Sequence, residues 1–351
     1  MIFKNCNING EIKDIRTENG IIKELGNLRG EGTDLKGARV FAGLIDIHSH
    51  GCMGYDTMDG DKLNEMSVYL AQNGVTSWLP TTMTMDMETI KSIVNINIPK
   101  TNGAEVLGFH MEGPYISKNR KGAQNERYIK APDIEEFKSL ENIQMVTLAP
   151  EQYRCLSFIK DCGAIVSIGH TDADYNCTMS AIEKGAKCLT HTFNAMPPLH
   201  HRDPGPVGAA IDGDIYVQVI CDGLHIHKSV ITMLYRTFGE DRMILISDSM
   251  RATGLDDGEY EFGGQRITVT NSVARTQSGA IAGSTSNLMQ CVRKAIGLGI
   301  PEKAAFNMAS KTPADLLGIN KGRIDLGYDA DFIVVDDEYN VAMTVKAGCV
   351  L

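Results

Sequence analysis

The sequence predicts an α/β fold, a TIM-like (β/α)8 barrel with a small β-sandwich lobe formed by both chain termini. Eight short apolar runs alternate with amphipathic segments through the middle of the chain, the pattern of strands joined by helical crossovers. Histidines and carboxylates fall at the C-terminal ends of these runs, the end of a barrel at which functional side chains gather. The two ends of the chain share a third character, short alternating segments broken by turn residues.

The first forty residues are punctuated by Asn9-Gly10 and Asn19-Gly20, both strong hairpin turns. Segments 331–335 and 341–345 read as strands near the other end, so residues 1–41 and 321–351 are expected to assemble one lobe. Residues 42–320 are then the barrel. Its candidate strands are 40–47, 76–79, 105–109, 145–148, 164–168, 187–190, 216–220 and 243–246. Between the first two, Leu63, Met66 and Leu70 share one helical face, and Gly74 supplies the stop. Periodicity does not establish closure, and a doubly wound open sheet satisfies the same alternation.

Composition narrows the function classes. At 351 residues, one barrel and an accessory lobe account for the whole chain, and 43% hydrophobic residues support a large core. A net charge of -10 argues against nucleic-acid binding, which requires a basic face. No run reaches the roughly 18 apolar residues of a membrane span, and the segment from Met1 to Asn5 does not begin a secretory signal. The nine cysteines are scattered, without a C-x-x-C pair, which reads as reduced thiols in a cytoplasm. Cys188 and Cys221 lie in apolar runs and are expected in the core.

All nine histidines lie between positions 48 and 227. His48 and His50 end strand one, their i, i+2 spacing placing both rings on one side, with Asp46 two residues earlier as a supporting carboxylate. His110 and Glu112 follow strand three, His170 strand five and His191 strand six. Asp222 and His225 follow strand seven, and Asp248 closes strand eight. Singly, each has an ordinary structural reading: a hydrogen-bonded histidine, a solvated loop glutamate, an N-cap aspartate. Jointly they cap different strands of one barrel, which suits a divalent cation held by imidazoles and carboxylates with a position left for water. Asp248 is the candidate general base and acid. Leu148-Ala-Pro150 puts no lysine after strand four, so a carbamylated-lysine bridge is not supported there.

Gly43-Leu-Ile-Asp-Ile-His-Ser-His-Gly51 resembles the amidohydrolase superfamily. More specific are His110-Met-Glu-Gly-Pro114, Gly169-His-Thr-Asp-Ala173, His191-Thr-Phe-Asn-Ala-Met-Pro197, Asp203-Pro-Gly205, Cys221-Asp-Gly-Leu-His225 and Ala282-Gly-Ser284. Over nearly the whole chain these resemble the N-acetylglucosamine-6-phosphate deacetylase family. The resemblance implies hydrolysis of the N-acetyl group of N-acetyl-D-glucosamine 6-phosphate, with the metal on Glu112, His170 and His191 and Asp248 as base and acid. It implies substrate contacts from His225, Gln124, Arg202 and the backbone at Asn194 and Ala195. It further implies a homodimer, because this arginine can reach the neighbouring subunit's site.

The residues agree with a phosphate role for the 197–206 segment, where prolines present His200, His201 and Arg202 on an otherwise acidic chain. Some members replace the first H-x-H pair by amides and bind one metal. Here His48 and His50 can hold a second, so one or two ions per subunit are expected, zinc or iron(II) first. In Lys121-Gly-Ala-Gln-Asn125, Gln124 stands where some members carry histidine. The competing readings are an N-acetylgalactosamine-6-phosphate or D-amino-acid deacetylase of the same superfamily, and a non-catalytic interaction module, which ought to have lost a ligand or the base.

Overall fold

The computed structural model describes residues 1–351. Eight parallel strands run Leu44–Ser49, Val75–Thr82, Phe109–Glu112, Ile143–Leu148, Ile165–Ile168, Cys188–Leu189, Tyr216–Ile220 and Met243–Ile246, hydrogen-bonded in that order. The ring closes between the eighth and first strands. There the Asp248 N–H donates to His48 O at 2.9 Å, and the hydroxyls of Ser49 and Ser249 meet at 2.8 Å. The open-sheet alternative is thereby excluded.

Alternate side chains fill the two sides of the ring. Ile45, Ile47, Leu79, Met145, Cys188, Ile220, Ile244 and Ile246 pack inside it, floored by Ala314 and Leu316 from the helix Lys311–Leu317. Neighbours such as Leu44, Val146, Val166 and Leu245 face outward under the helices. Each fully buried isoleucine or leucine contributes about 1.5–3 kcal/mol relative to exposure, so this two-sided apolar pattern determines the strand register. The helix Leu63–Gln72 buries Leu63, Met66 and Leu70, the face read from the sequence.

Two strand expectations change. The expected run 40–47 is two elements, Arg39–Ala42 in the terminal sheet and Leu44–Ser49 in the barrel, divided at Gly43. A Cβ on Gly43 would stand 2.2 Å from Thr76 Oγ1, so only glycine lets the backbone cross there. The third barrel strand is Phe109–Glu112 and not 105–109, while Glu105–Val106 is a short pairing with the second strand. His110 and Glu112 therefore lie within the strand.

Strands from both chain ends form one sheet in the order Cys349–Val350, Val341–Lys346, Phe332–Val335, Arg39–Ala42, Ile2–Ile8, Glu11–Glu18, Ile21–Gly26, with Thr33–Asp34 added beside Ile2–Ile8. Asn9 and Asn19 adopt φ of 54° and 51°, followed by Gly10 and Gly20 at 87° and 78°, as two-residue hairpin turns require. The sheet curls over a small core in which Phe3 and Phe332 meet edge to face, ring centres 4.9 Å apart. Buried Lys321 ties it to the barrel, its Nζ 2.8 Å from carboxylates of Glu105, Asp329 and Asp331.

A third sheet had no counterpart in the sequence reading. After strand eight, Gly258–Phe262, Gln265–Thr270 and Val273–Thr276 form an antiparallel meander at the mouth of the barrel. Its signal was present: Ile267 and Val269 are buried between exposed Arg266, Thr268 and Thr270, with Gly263-Gly264 and Asn271-Ser272 at the turns. No helix is long and apolar enough to cross a membrane.

Candidate metal and active site

The C-terminal mouth of the barrel holds a cavity of about 410 Å³. His50, Glu112, His170, His191, His225 and Asp248 all reach it, together with Gln124, Asn194 and Ala195. Four of these residues stand in strained backbone, Ala195 at φ 52° among them. His170, His191 and Asp248 have φ of 48°, 26° and 47°, left-handed conformations that turn each side chain from its strand end into the mouth. Such positions cost about 1–3 kcal/mol each and persist only where surrounding packing enforces them.

Two donor groups share one carboxylate. Glu112 Oε1 lies 3.0 Å from His191 Nε2 and 3.3 Å from His170 Nε2, and those two ring nitrogens are 3.1 Å apart. On the other side, His50 Nε2 lies 3.3 Å from Glu112 Oε2, His48 Nε2 3.4 Å from Oε1, and the two Nε2 atoms are 3.3 Å apart. Asp248 Oδ1 is 3.4 Å from both His48 and His50 Nε2.

Three of the four rings are oriented from behind. His48 Nδ1 lies 3.1 Å from Gln218 Oε1, His50 Nδ1 3.1 Å from Thr81 O, and His170 Nδ1 2.8 Å from Arg120 O. Carbonyl acceptors on Nδ1 fix the tautomer that leaves Nε2 as a lone-pair donor. Lone-pair nitrogens 3.1–3.3 Å apart repel unless a cation lies between them. Glu112, His170 and His191 therefore fit a divalent ion, and His48, His50 and Glu112 form a second fitting group.

The ionisation pattern has the same sense. Burial opposes charge on both carboxylates, yet the neighbouring imidazoles hold Glu112 well below the usual range and Asp248 at about 2. Burial likewise disfavours protonated His50, but Asp248 and Glu112 drive it up to about 10. The carboxylates draw positive charge into this centre, and a metal ion satisfies the same demand.

Asp46 sits beneath. One oxygen accepts the backbone N–H groups of His48 at 3.3 Å and Ser247 at 3.4 Å, holding the closing seam together, while Oδ2 has no partner. His225 Nδ1 lies 2.7 Å from Asp222 Oδ2, whose other oxygen accepts the N–H groups of Leu224 and His225. Burial works against both charges, but the pairing raises His225 and lowers Asp222. His110 is outside the cavity, its ring spent on Ile47 O at 3.0 Å and Thr147 Oγ1 at 2.7 Å. No lysine lines the cavity.

Arg202 is elsewhere. It stands on an exposed turn, Nη1 2.9 Å from His201 Nε2, and does not line the cavity of its own chain. The arginine that does is Arg120, its Nε 2.5 Å from Asp172 Oδ1. The sequence reading missed it, along with Asn119, Phe262 and Ile281, which also line the wall. Arg120 follows the Gly113-Pro114 turn in a loop without periodicity. Only its nearness to Glu112 in the chain could have pointed to it.

A (β/α)8 barrel with imidazoles and carboxylates converging in its C-terminal mouth defines the class, the barrel hydrolases. Residues 39–351 match the Amidohydrolase family, and the chain belongs to it. It is 38% identical to the N-acetylglucosamine-6-phosphate deacetylase of Lysinibacillus sphaericus, over 96% of this chain and 93% of that one. To the N-acetylgalactosamine-6-phosphate deacetylase of Escherichia coli O157:H7 it is 33% identical, over 93% and 91%. A structure of a mutant N-acetyl-D-glucosamine-6-phosphate deacetylase from Mycobacterium smegmatis, in complex with N-acetyl-D-glucosamine-6-phosphate, has a TM-score of 0.92 and 29% identity. It covers 100% of this chain, and 98% of that chain is matched.

Proposed function

We propose that the protein hydrolyses the N-acetyl group of N-acetyl-D-glucosamine 6-phosphate, giving D-glucosamine 6-phosphate and acetate. The observation that carries this reading is the convergence of Glu112, His170 and His191 with Asp248 around one cavity, in a chain alike over its whole length to deacetylases of this substrate. A divalent ion held by Glu112, His170 and His191 would polarise the acetyl carbonyl and make water a better nucleophile. Zinc and iron(II) suit this mixed donor set, and His48 and His50 with Glu112 offer a second position.

The chain's own residues supply the proton traffic. Asp248, ionised, takes a proton from the attacking water and returns it to the amide nitrogen, which leaves only as a protonated amine. His225, its ring fixed by Asp222, donates from Nε2 toward the substrate. The backbone at Asn194 and Ala195, with Arg202, binds the phosphate. Because Arg202 is exposed and outside its own cavity, we assign it to the neighbouring active site of a homodimer. Arg120 is a second cation for the same phosphate. The nine unpaired cysteines support a cytoplasmic enzyme, and the net charge of -10 supports one that does not bind nucleic acid.

An N-acetylgalactosamine-6-phosphate deacetylase is the second reading, favoured by the likeness to the E. coli protein. Acetate release from N-acetylglucosamine 6-phosphate, its C4 epimer, the unphosphorylated sugars and N-acetyl-D-amino acids, with metal content measured on the same samples, separates the readings. Preference for the epimer or for an unphosphorylated substrate would displace the first.

A further inference from the structure

Gln124 lines the cavity, yet neither end of its carboxamide is free for a ligand. Its Oε1 accepts the Thr84 N–H at 2.7 Å, and its Nε2 donates to Glu112 Oε2 in a short hydrogen bond, with Met83 Sδ 3.8 Å away. The residue is 3% exposed. Thr84 also touches the other partner, its hydroxyl donating to Glu112 O at 3.3 Å. Thr84, Gln124 and Glu112 thus close a small ring of hydrogen bonds behind the carboxylate.

The ring decides which oxygen faces which donors. Oε1 is the atom nearest His170 and His191, and Oε2 is the one turned to His50. A glutamate carboxylate is free to rotate about its last bond, and rotation would exchange the two oxygens or lift both off the rings. With Gln124 Nε2 on Glu112 Oε2, and Gln124 Oε1 in turn held by the Thr84 N–H, that rotation is blocked.

Resting on the metal reading proposed above, we infer that Gln124 is a positioning residue. It orients Glu112 so that one oxygen faces His170, His191 and His48 while the other is presented to His50, and it makes no contact with the sugar phosphate. Partners behind a metal ligand typically govern affinity by about 10–100-fold.

The test uses the full chain, stripped of metal with a chelator and titrated with zinc against a chromophoric competitor, followed by kinetics at saturating zinc. Gln124→Met keeps the bulk and removes the donor. Its zinc affinity is expected to fall about 10–100-fold, with KM for the sugar phosphate within about twofold of wild type. A raised KM with unchanged zinc affinity makes Gln124 a substrate contact and overturns the inference, as does no change in either. Gln124→Ala carries the same comparison if the methionine variant does not fold. His191→Ala is titrated in parallel. Undiminished zinc binding there defeats the metal reading itself, a result distinct from failure at Gln124.

Discussion

Replacing Asp248 by asparagine preserves shape and removes basicity. The ionised carboxylate closes strand eight with Oδ1 3.4 Å from both His48 and His50 Nε2. Burial alone would raise its pKa, but the surrounding imidazoles hold it at about 2. It is therefore ionised, and open to a proton, at neutral pH. No neighbour can substitute. Glu112, His170 and His191 face one another, and Asp222 raises His225, which makes that ring a poorer acceptor. One carboxylate serving as both base and acid belongs at the upper end of general acid–base effects, about 10³–10⁴-fold. At 1.36 kcal/mol per decade this is about 4–5.5 kcal/mol of transition-state stabilisation. Asp248 is outside both three-residue donor groups, so metal content should stay near wild type. The loss should fall on kcat while substrate affinity holds, read by acetate release, metal analysis and calorimetric binding of the sugar phosphate. Turnover within a few-fold of wild type would remove Asp248 as the base, and loss of metal in step with activity would make it a ligand.

Either His170→Ala or His191→Ala is expected to lose the metal equivalent and nearly all activity. Circular dichroism must show the fold intact, since losing bound metal also removes stability. Arg202→Ala should cost about 2–5 kcal/mol in kcat/KM on the phosphorylated sugar and far less on its unphosphorylated analogue, while equal losses would end its phosphate role. Mixed with Asp248→Asn chains, it should recover part of the activity through heterodimers with one intact site. Asp222→Asn removes a buried charge pair contributing on the order of 1.5–3 kcal/mol. Asp222 is lowered and His225 raised in the fold, so the pair stabilises above about pH 4 and fades as pH rises through the raised His225 value. The melting-temperature gap between wild type and variant should narrow on going alkaline, and a gap independent of pH would contradict the ion pair.

Legibility followed from how local each signal is. Asn9-Gly10 and Asn19-Gly20 were readable as hairpins because a two-residue turn depends on its own φ angles and nothing distant. Leu63, Met66 and Leu70 were readable as a buried face because a helix repeats its environment every few residues. The run 40–47 misled because apolar continuity does not reveal that Gly43 lets the chain change sheets. The meander 258–276 escaped because its alternation is short and half polar, although Gly263-Gly264 marked a turn. Arg120 escaped because its loop owes its course to Asp172 and the His170 ring, both about fifty residues on.

The sequence by itself determined the alternation that makes strands and crossover helices, the β-rich ends, and the placement of histidines and carboxylates on different strand ends. These are properties of side-chain period and turn chemistry, which act over a few residues. Tertiary structure alone decided that the sheet closes through Asp248 and His48 and that His170, His191 and Asp248 take left-handed backbone. It also decided that Gln124 spends both ends of its amide on Thr84 and Glu112, and that Arg202 stands outside the cavity that Arg120 lines. Each depends on residues tens or hundreds of positions apart being packed into one register. Such a register comes from the summed burial of the whole core, which no single segment encodes.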